Sequence, residues 1–320
     1  MTIQKAREAL IASNSDVSSA IEWIDRERVA MGQRKAEKVG GRFTGQGLVG
    51  VSVLSPGTGH GTDSSGVRAA MVELNCETDF VGRNELFRAL TQNLAFTAAF
   101  ISDPIPPSAA DGLGTDHFLR SIDLSHLRDA PLMVRDQTGT PKTVSEAVRD
   151  TMTAVGENIS IRRAMSFVHN HVTPISGVGL RASSYVHGAL STPPEKTPAV
   201  VEAQGTIGAL VVIGLRTSPV SRLSELLKNP AFNTKIGSLE RALARQVVGM
   251  HPEGVQGEVK DALYNQPFDM LATSGGQSVG MVLKQWAEEQ NMGESSQTEH
   301  EGVSGLSVIE FSRWKVGEVS

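Results

Sequence analysis

The sequence predicts an α+β fold: a small amino-terminal helical module, then two core subdomains of antiparallel sheet packed with helices. Three observations predict it. Residues 48–54, 67–76 and 207–215 are short apolar runs with the look of strands. Elsewhere apolar residues recur at helical spacing, as at Leu86, Leu90, Leu94 and Ala98. Strands and helices are grouped without a repeated strand–helix–strand period, which argues against a doubly wound parallel sheet.

Taken in order, the first forty residues are helical in pattern. Ile3, Ala6, Ala9 and Leu10 share one side, and Val17, Ala20, Ile21 and Ile24 share another. Asn14, Ser15 or Asp16 offers a side-chain acceptor to cap the second helix. Gly40-Gly41 ends a module too small to stand easily on its own. Leu48–Leu54 and Val67–Cys76 form two strands, with Val72, Leu74 and Cys76 on one face. The Gly, Ser and Thr of Pro56–Gly66 make a hairpin loop between them. A helix from Asn84 is stopped by Pro104, Pro106 and Pro107. Another covers Val144–Asn158 and leads to a strand at Ile161–Val168. The second unit opens with a strand at Ser183–Ala189 and a proline-rich loop at Leu190–Pro198. Ile207–Leu215 is a strand with close-packing glycines, Ser221–Lys228, Ser238–Val248 and Gly280–Glu289 are helices, and Val308–Val316 is the last strand. The expected division is 1–41, 42–178 and 179–320, with the helical module truncated.

At 320 residues the chain can build two or three compact units. Its apolar stretches are broken by glycine and fall short of the roughly 20 residues that span a bilayer, so a soluble chain is expected. The formal net charge of −5, with both signs interspersed, argues against a nucleic-acid groove. The basic pairs Arg34-Lys35 and Arg162-Arg163 are short enough to be solvated faces or protein contacts. The single cysteine, Cys76, excludes internal disulfides and a thiolate metal site. Met1–Asp25 lacks the basic start and apolar core of a secretory leader. No mitochondrial import segment is visible; a mature protein from which one had been removed would look the same.

Signs of an enzyme are missing. No GxxxxGK[ST] phosphate loop, HExxH or GxSxG is present. The GTGHG at 57–61 has neither a lysine nor a following helix, and reads as hairpin loop. His169 and His171 have ligand-like spacing but no third ligand nearby in sequence. Cys76, beside Leu74 on a strand, reads as a small buried hydrophobe. No catalytic residue, metal or cofactor is expected.

The segment Glu73–Asn84, ELNCETDFVGRN, is different. The strand ends at Cys76 and the helix begins near Asn84, so Asp79 and Phe80 fall in a short connection. Thr78 or Asp79 could cap a turn while Phe80 pins helix to sheet. Alternatively Phe80 is an exposed wedge with Asp79 as its polar companion, the type of aromatic that anchors a protein interface.

ELNCETDFVGRN resembles the signature of the translation elongation factor Ts family, whose members carry Thr-Asp-Phe-Val between that strand and helix. Further segments in family order resemble it too: ALIASNSDVSSAIEWI, ERVAMGQRKAEK, VGENISIRR (Val155–Arg163), YVH (Tyr185–His187) with GTIGALVVI, LARQVVGMH (Leu243–His251), NQPF (Asn265–Phe268) and FSRWKVGE. The resemblance covers nearly the whole chain. Family members carry one more helix ahead of Met1–Leu10, and alanine is usual where Gly82 stands. Longer loops and the lack of a coiled-coil insertion suggest a mitochondrial form located in the matrix, with bacterial cytoplasm second.

The resemblance implies a guanine nucleotide exchange factor for elongation factor Tu, binding its GDP-bound and nucleotide-free forms, with no direct contact to nucleic acid or membrane. It implies that Thr78, Asp79, Phe80 and Val81 meet the partner, Phe80 as a wedge near its magnesium site. Arg34, Lys35, Arg162, Arg163, His187 and His251 are further possible contacts, with Gln266 either core or interface. Gly156, Glu157 and Asn158 are expected to shape a helix end. Two rivals compete with this reading. One is a ubiquitin-binding adaptor, because the helical module is similar to ubiquitin-associated folds. The other is a thiol enzyme using Cys76.

Overall fold

Two antiparallel sheets packed face to face, each covered on its outer side by helices, make up the body of the molecule. The computed structural model describes residues 2–59, 66–105, 117–134, 141–170, 178–188, 201–217, 221–292 and 305–318. The loop expected at 190–198, positions 60–65 of the hairpin loop, Pro106, Pro107 and His171 lie outside the described residues.

Helices α1 (Ile3–Ala12) and α2 (Val17–Val39) form the amino-terminal part. Of the three candidate caps, Asp16 is the one that serves: its Oδ2 accepts from the Ser19 amide at 2.7 Å, satisfying a donor the helix leaves free. Few residues are buried here, among them Ala9, Ala20 and, at the carboxyl end of α2, Val39, while Ile3, Ile11, Val17, Ile21 and Val29 stay exposed. This pair of helices therefore has little core of its own.

The first sheet contains β1 (Gln46–Pro56), β2 (Val67–Cys76), β3 (Arg120–Ser121), β4 (Ile159–His169) and β6 (Val201–Gly205), in the order β3-β4-β2-β1-β6. The second contains β5 (Val178–His187), β7 (Ile207–Arg216) and β8 (Gly305–Lys315), in the order β5-β7-β8. Alternation along the strands sorts side chains between layers. On β1, Val49, Val51 and Val53 face the second sheet and meet Leu210 and Val212 of β7. On β2, Ala70, Val72, Leu74 and Cys76 face outward, under α4 (Glu85–Ile101) and α6 (Val144–Val155). On β7, Ala209, Val211, Ile213 and Leu215 face α8 (Pro230–Met250) and α9 (Val279–Glu289). A one-residue slip in β1 or β7 would exchange the two faces and place each set against the wrong layer. The sheets approach closely at Gly208, where a Cβ would lie 2.7 Å from Val49 Cγ1, so glycine is required there.

The α+β architecture, with amino-terminal helices and sheet–helix units, is as expected. Several details differ from the reading of the sequence. The helix starting at Val144 stops at Val155, because Gly156 turns left-handed with φ +80°. The helix expected at 238–248 begins at Pro230, capped by Asn229. The strand expected at 183–189 runs Val178–His187. Further elements are helices α5 (Leu124–Asp129) and α7 (Ser221–Leu227, expected), a 3-10 turn at Leu263–Asn265, and strands β3 and β6. The polar VEAQG of β6 gives no strand signal because it sits at a sheet edge with one neighbour, β1. After Thr206 the chain enters the second sheet as β7, so sheet membership does not follow chain order.

One buried ion pair ties this architecture together. Arg181 on β5 reaches Glu240 on α8 through two guanidinium–carboxylate bonds, one of 2.9 Å, and also donates to the Thr58 carbonyl beyond β1. Among the described residues no helix is long and apolar enough to cross a membrane. Nor is there a cluster of three or more His, Cys, Asp or Glu that could hold a metal ion.

Candidate partner-binding site

The connection after β2 is a single helical turn, α3 (Asp79–Gly82), capped by Thr78. The turn forms because Thr78 Oγ1 accepts from the Val81 amide at 3.4 Å. Its inner face is Val81 and Gly82, both buried against the sheet. A Cβ added to Gly82 would meet Cys76 Sγ and the Gly47 carbonyl at 3.9 Å each, so there is room for an alanine at this position. The outer face carries Phe80, 80% exposed. Pinning of helix to sheet thus falls to Val81, and the aromatic ring is left to solvent. Beside it Asp79 pairs with Arg83 one turn on, at 3.2 Å. An exposed pair of this kind stabilises little, so Asp79 can exchange Arg83 for another donor at small cost.

What holds the turn comes from far away in sequence. β2 and β4 pair to Cys76↔Ile159, which places Glu77-Thr78 next to Glu157-Asn158. The Glu157 carboxylate accepts from Thr78 Oγ1 at 2.6 Å and from the Thr78 amide at 3.0 Å. In return Glu77 Oε1 accepts from the Asn158 amide at 2.6 Å. The left-handed Gly156 reverses the chain so that Glu157 faces the turn. Gly156 does shape the helix end as expected; Glu157 and Asn158 do more, clasping the ELNCETDFVGRN segment to VGENISIRR. Spacing within either segment carries no sign of this clasp, since the partners lie 79 residues apart. Replacing Glu157 with Ala removes a charged acceptor from two donors, a loss of about 1.5–3 kcal/mol per bond at most. The expected result is at least tenfold faster hydrogen exchange at the Thr78 and Val81 amides. Unchanged protection there would show that the clasp does not hold α3.

Cys76 lies beneath the turn, fully buried, with its thiol donating to the Thr78 carbonyl at 3.1 Å. Burial, reinforced by the Glu157 charge, pushes the thiol up to about 12. Near pH 8 only about one thiol in ten thousand is then ionised, which leaves the thiol-enzyme reading without a nucleophile. Native protein should react with a thiol reagent at pH 8 at least about a hundredfold more slowly than urea-unfolded protein. Rates within threefold of each other would contradict the burial.

The remaining candidates are dispersed. Arg34 and Lys35 are exposed on α2. Arg162 and Arg163 on β4 face a carboxylate that is itself buried, Glu73 on β2. Arg163 Nε donates to it at 2.7 Å, Arg162 Nε stands 3.9 Å away, and the Gly317 amide donates at 2.9 Å. The Arg163 guanidinium also lies 4.6 Å over the Trp314 ring, and Arg162 donates to the Glu318 carbonyl at 2.7 Å. These contacts join FSRWKVGE to the strands before the turn. His187 is exposed at the end of β5, and His251 caps α8 in a left-handed conformation, φ 47°. Gln266 is buried, bonded to Gln246 at 3.2 Å. His169 is buried, and burial pulls its imidazole below the usual range.

The chain is similar in sequence to known proteins along nearly its whole length. Residues 77–266, more than half of the chain, match the family model described as Elongation factor TS. The chain is 41% identical over 322 residues to "Elongation factor Ts, mitochondrial" of Laccaria bicolor, covering 99% of this chain and 88% of that protein. It is 42% identical over 323 residues to the protein of the same name in Coprinopsis cinerea, again covering 99% and 88%. With "Elongation factor Ts, mitochondrial 1" of Postia placenta identity is 39% over 315 residues, covering 95% of this chain and 99% of the relative.

Proposed function

We propose, since this chain belongs to the elongation factor Ts family in its mitochondrial form, that it docks on mitochondrial elongation factor Tu through α3 and expels GDP. The family's task is guanine nucleotide exchange on elongation factor Tu during protein biosynthesis, and it is carried out by binding, with no covalent chemistry. The working location is the mitochondrion, in the matrix where the partner acts.

The observation that carries the docking assignment is Phe80, exposed on a turn whose other side chains are buried or fastened. An aromatic presented this way can enter a crevice with little further loss of side-chain freedom. We assign Phe80 as a wedge between elements of the partner that support its magnesium ion and phosphate-binding loop. Asp79 would leave Arg83 for donors on the partner, while Thr78 and Val81 hold the turn in place. Displacing the metal's surroundings weakens the grip on nucleotide, because the ion supplies much of the charge balance there. Binding and release are linked: a factor that prefers nucleotide-free partner lowers nucleotide affinity by the same coupling free energy. GTP then refills the site and the factor dissociates.

The exposed apolar residues of α1 and α2 suit a second contact with the GTPase domain, and we assign that role to segment 1–41 as a module of ubiquitin-associated type. Segment 42–178 supplies α3, and 179–320 would hold another domain of the partner. For Arg34, Lys35, His187 and His251 exposure is compatible with contact. The contacts of Arg162 and Arg163 within the chain favour a structural role. The test is release of labelled GDP from mitochondrial elongation factor Tu, with and without this protein. Acceleration at catalytic amounts of the factor is expected; no acceleration by folded protein would overturn the proposal.

A further inference from the structure

We propose that Phe43 is a second aromatic anchor for the same partner, set beside Phe80 on one pre-ordered rim. This rests on the reading of Phe80 as a docking residue and extends it to a residue outside the Thr-Asp-Phe-Val segment. Phe43 is 88% exposed, and it and Phe80 are the two most exposed aromatic side chains among the described residues. Exposure alone would mean little, since single apolar residues are common on surfaces. What distinguishes Phe43 is that the chain on both sides of it is fastened to the residues that hold α3.

On one side, the Arg42 carbonyl accepts from Asn158 Nδ2 at 2.7 Å, and Arg42 Nη1 lies 3.5 Å from Glu77 Oε1. On the other, the Thr44 carbonyl accepts from Asn75 Nδ2 at 3.2 Å, and Thr44 Oγ1 bonds Ser160 Oγ at 2.8 Å. Glu77 directly precedes Thr78 and Asn75 lies three residues before it, while Asn158 and Ser160 follow Glu157. The clasp that orients Phe80 therefore also orients Phe43. Farther along, Gly82 of α3 approaches the Gly47 carbonyl, so the two segments stay side by side. The Phe43 ring leans over Gly45, where a Cβ would lie 2.5 Å from its Cε1. It rests on backbone without being covered by any side chain that would bury it.

Two rings held by one hydrogen-bonded frame, edged by the Arg42–Glu77 and Arg83–Asp79 pairs, have the layout of an interface core with a polar rim. The surface they fit is an apolar patch on the GTPase partner, continuous with the crevice that takes Phe80. Phe43 has no neighbour in the proposed displacement of nucleotide. Its part is affinity alone, whereas Phe80 contributes to both affinity and exchange.

The experiment is GDP release from mitochondrial elongation factor Tu at varied concentrations of the full chain, for wild type, Phe43→Ala, Phe43→Leu and Phe80→Ala. Phe43→Ala should raise the half-saturating concentration about tenfold, a typical loss for an interface anchor, with the maximal rate within about twofold of wild type. Phe43→Leu should recover part of the affinity, and the melting temperature of both should match wild type. Wild-type behaviour of Phe43→Ala alongside impaired Phe80→Ala would overturn the Phe43 inference and leave the docking site standing. Wild-type behaviour of both would remove the docking site itself. A lowered maximal rate at unchanged half-saturation, or a weakened variant that also melts early, would equally overturn the anchor.

Discussion

Phe80→Ala is expected to lower stimulation of GDP release about thirtyfold or more while leaving the fold untouched. The ring is 80% exposed and takes no part in the cores beneath it, which are closed by Val81 and Leu74. Its removal therefore opens no cavity, and melting temperature and circular dichroism should be those of wild type. On the partner's side the same truncation empties a crevice. An anchor of this type costs upwards of about 2 kcal/mol, which corresponds to the stated factor in binding. If the ring wedges, the maximal rate falls as well, because the contact is made most fully when nucleotide has left. A variant with wild-type release kinetics would sink the wedge.

Glu240→Ala should be the most damaging single change to stability, at about 3–5 kcal/mol. Arg181 is 1% exposed and Glu240 5%. Burial pushes the Glu240 carboxyl up, opposed by the pull of the Arg181 guanidinium. The substitution leaves that guanidinium inside the protein without its counter-charge, and much of the cost arises there. Three regions feel it, β5, α8 and the segment after β1, since Arg181 also donates to the Thr58 carbonyl, whereas the Ser183 hydroxyl keeps its 3.0 Å bond to the Glu240 backbone carbonyl. A paired replacement, Arg181→Met with Glu240→Leu, should recover most of the loss, because no charge then remains buried. Urea unfolding of the three variants checks both statements. A loss below about 1 kcal/mol for Glu240→Ala would mean that water reaches the pair.

The two predictions differ in how far the sequence foresees them. Phe80 lies in a segment that stands out on reading, between a period-two run and a period-four run. Glu240 lies in the middle of a helical pattern and Arg181 just before an expected strand, and neither position draws notice. Glu157 is intermediate: it belongs to a segment that resembles a family motif, yet a helix-end role is all that local chemistry suggests. Its hold on Thr78 depends on the pairing of β2 with β4. The edge strand β6 and the short helix α5 were not legible either. A polar edge strand has no apolar face to show, and one and a half turns are too few to establish a helical period.

By itself the sequence determined an apolar face for β2, α4 and the amino-terminal helices, and from the grouping of such elements the α+β class. It also determined the motifs that mark the family, and the short segment proposed for partner contact. Those properties are local, encoded in spacing within one element. The tertiary structure decided that Phe80 points to solvent while Val81 closes the core. It also decided that Glu157 fastens Thr78, that Phe43 is strapped to the same frame, and that Arg181 and Glu240 meet in the interior. Each of these depends on strand register and on the packing of the two sheets, which bring together residues distant in sequence. Local spacing does not specify those meetings; the joint burial of all the layers does.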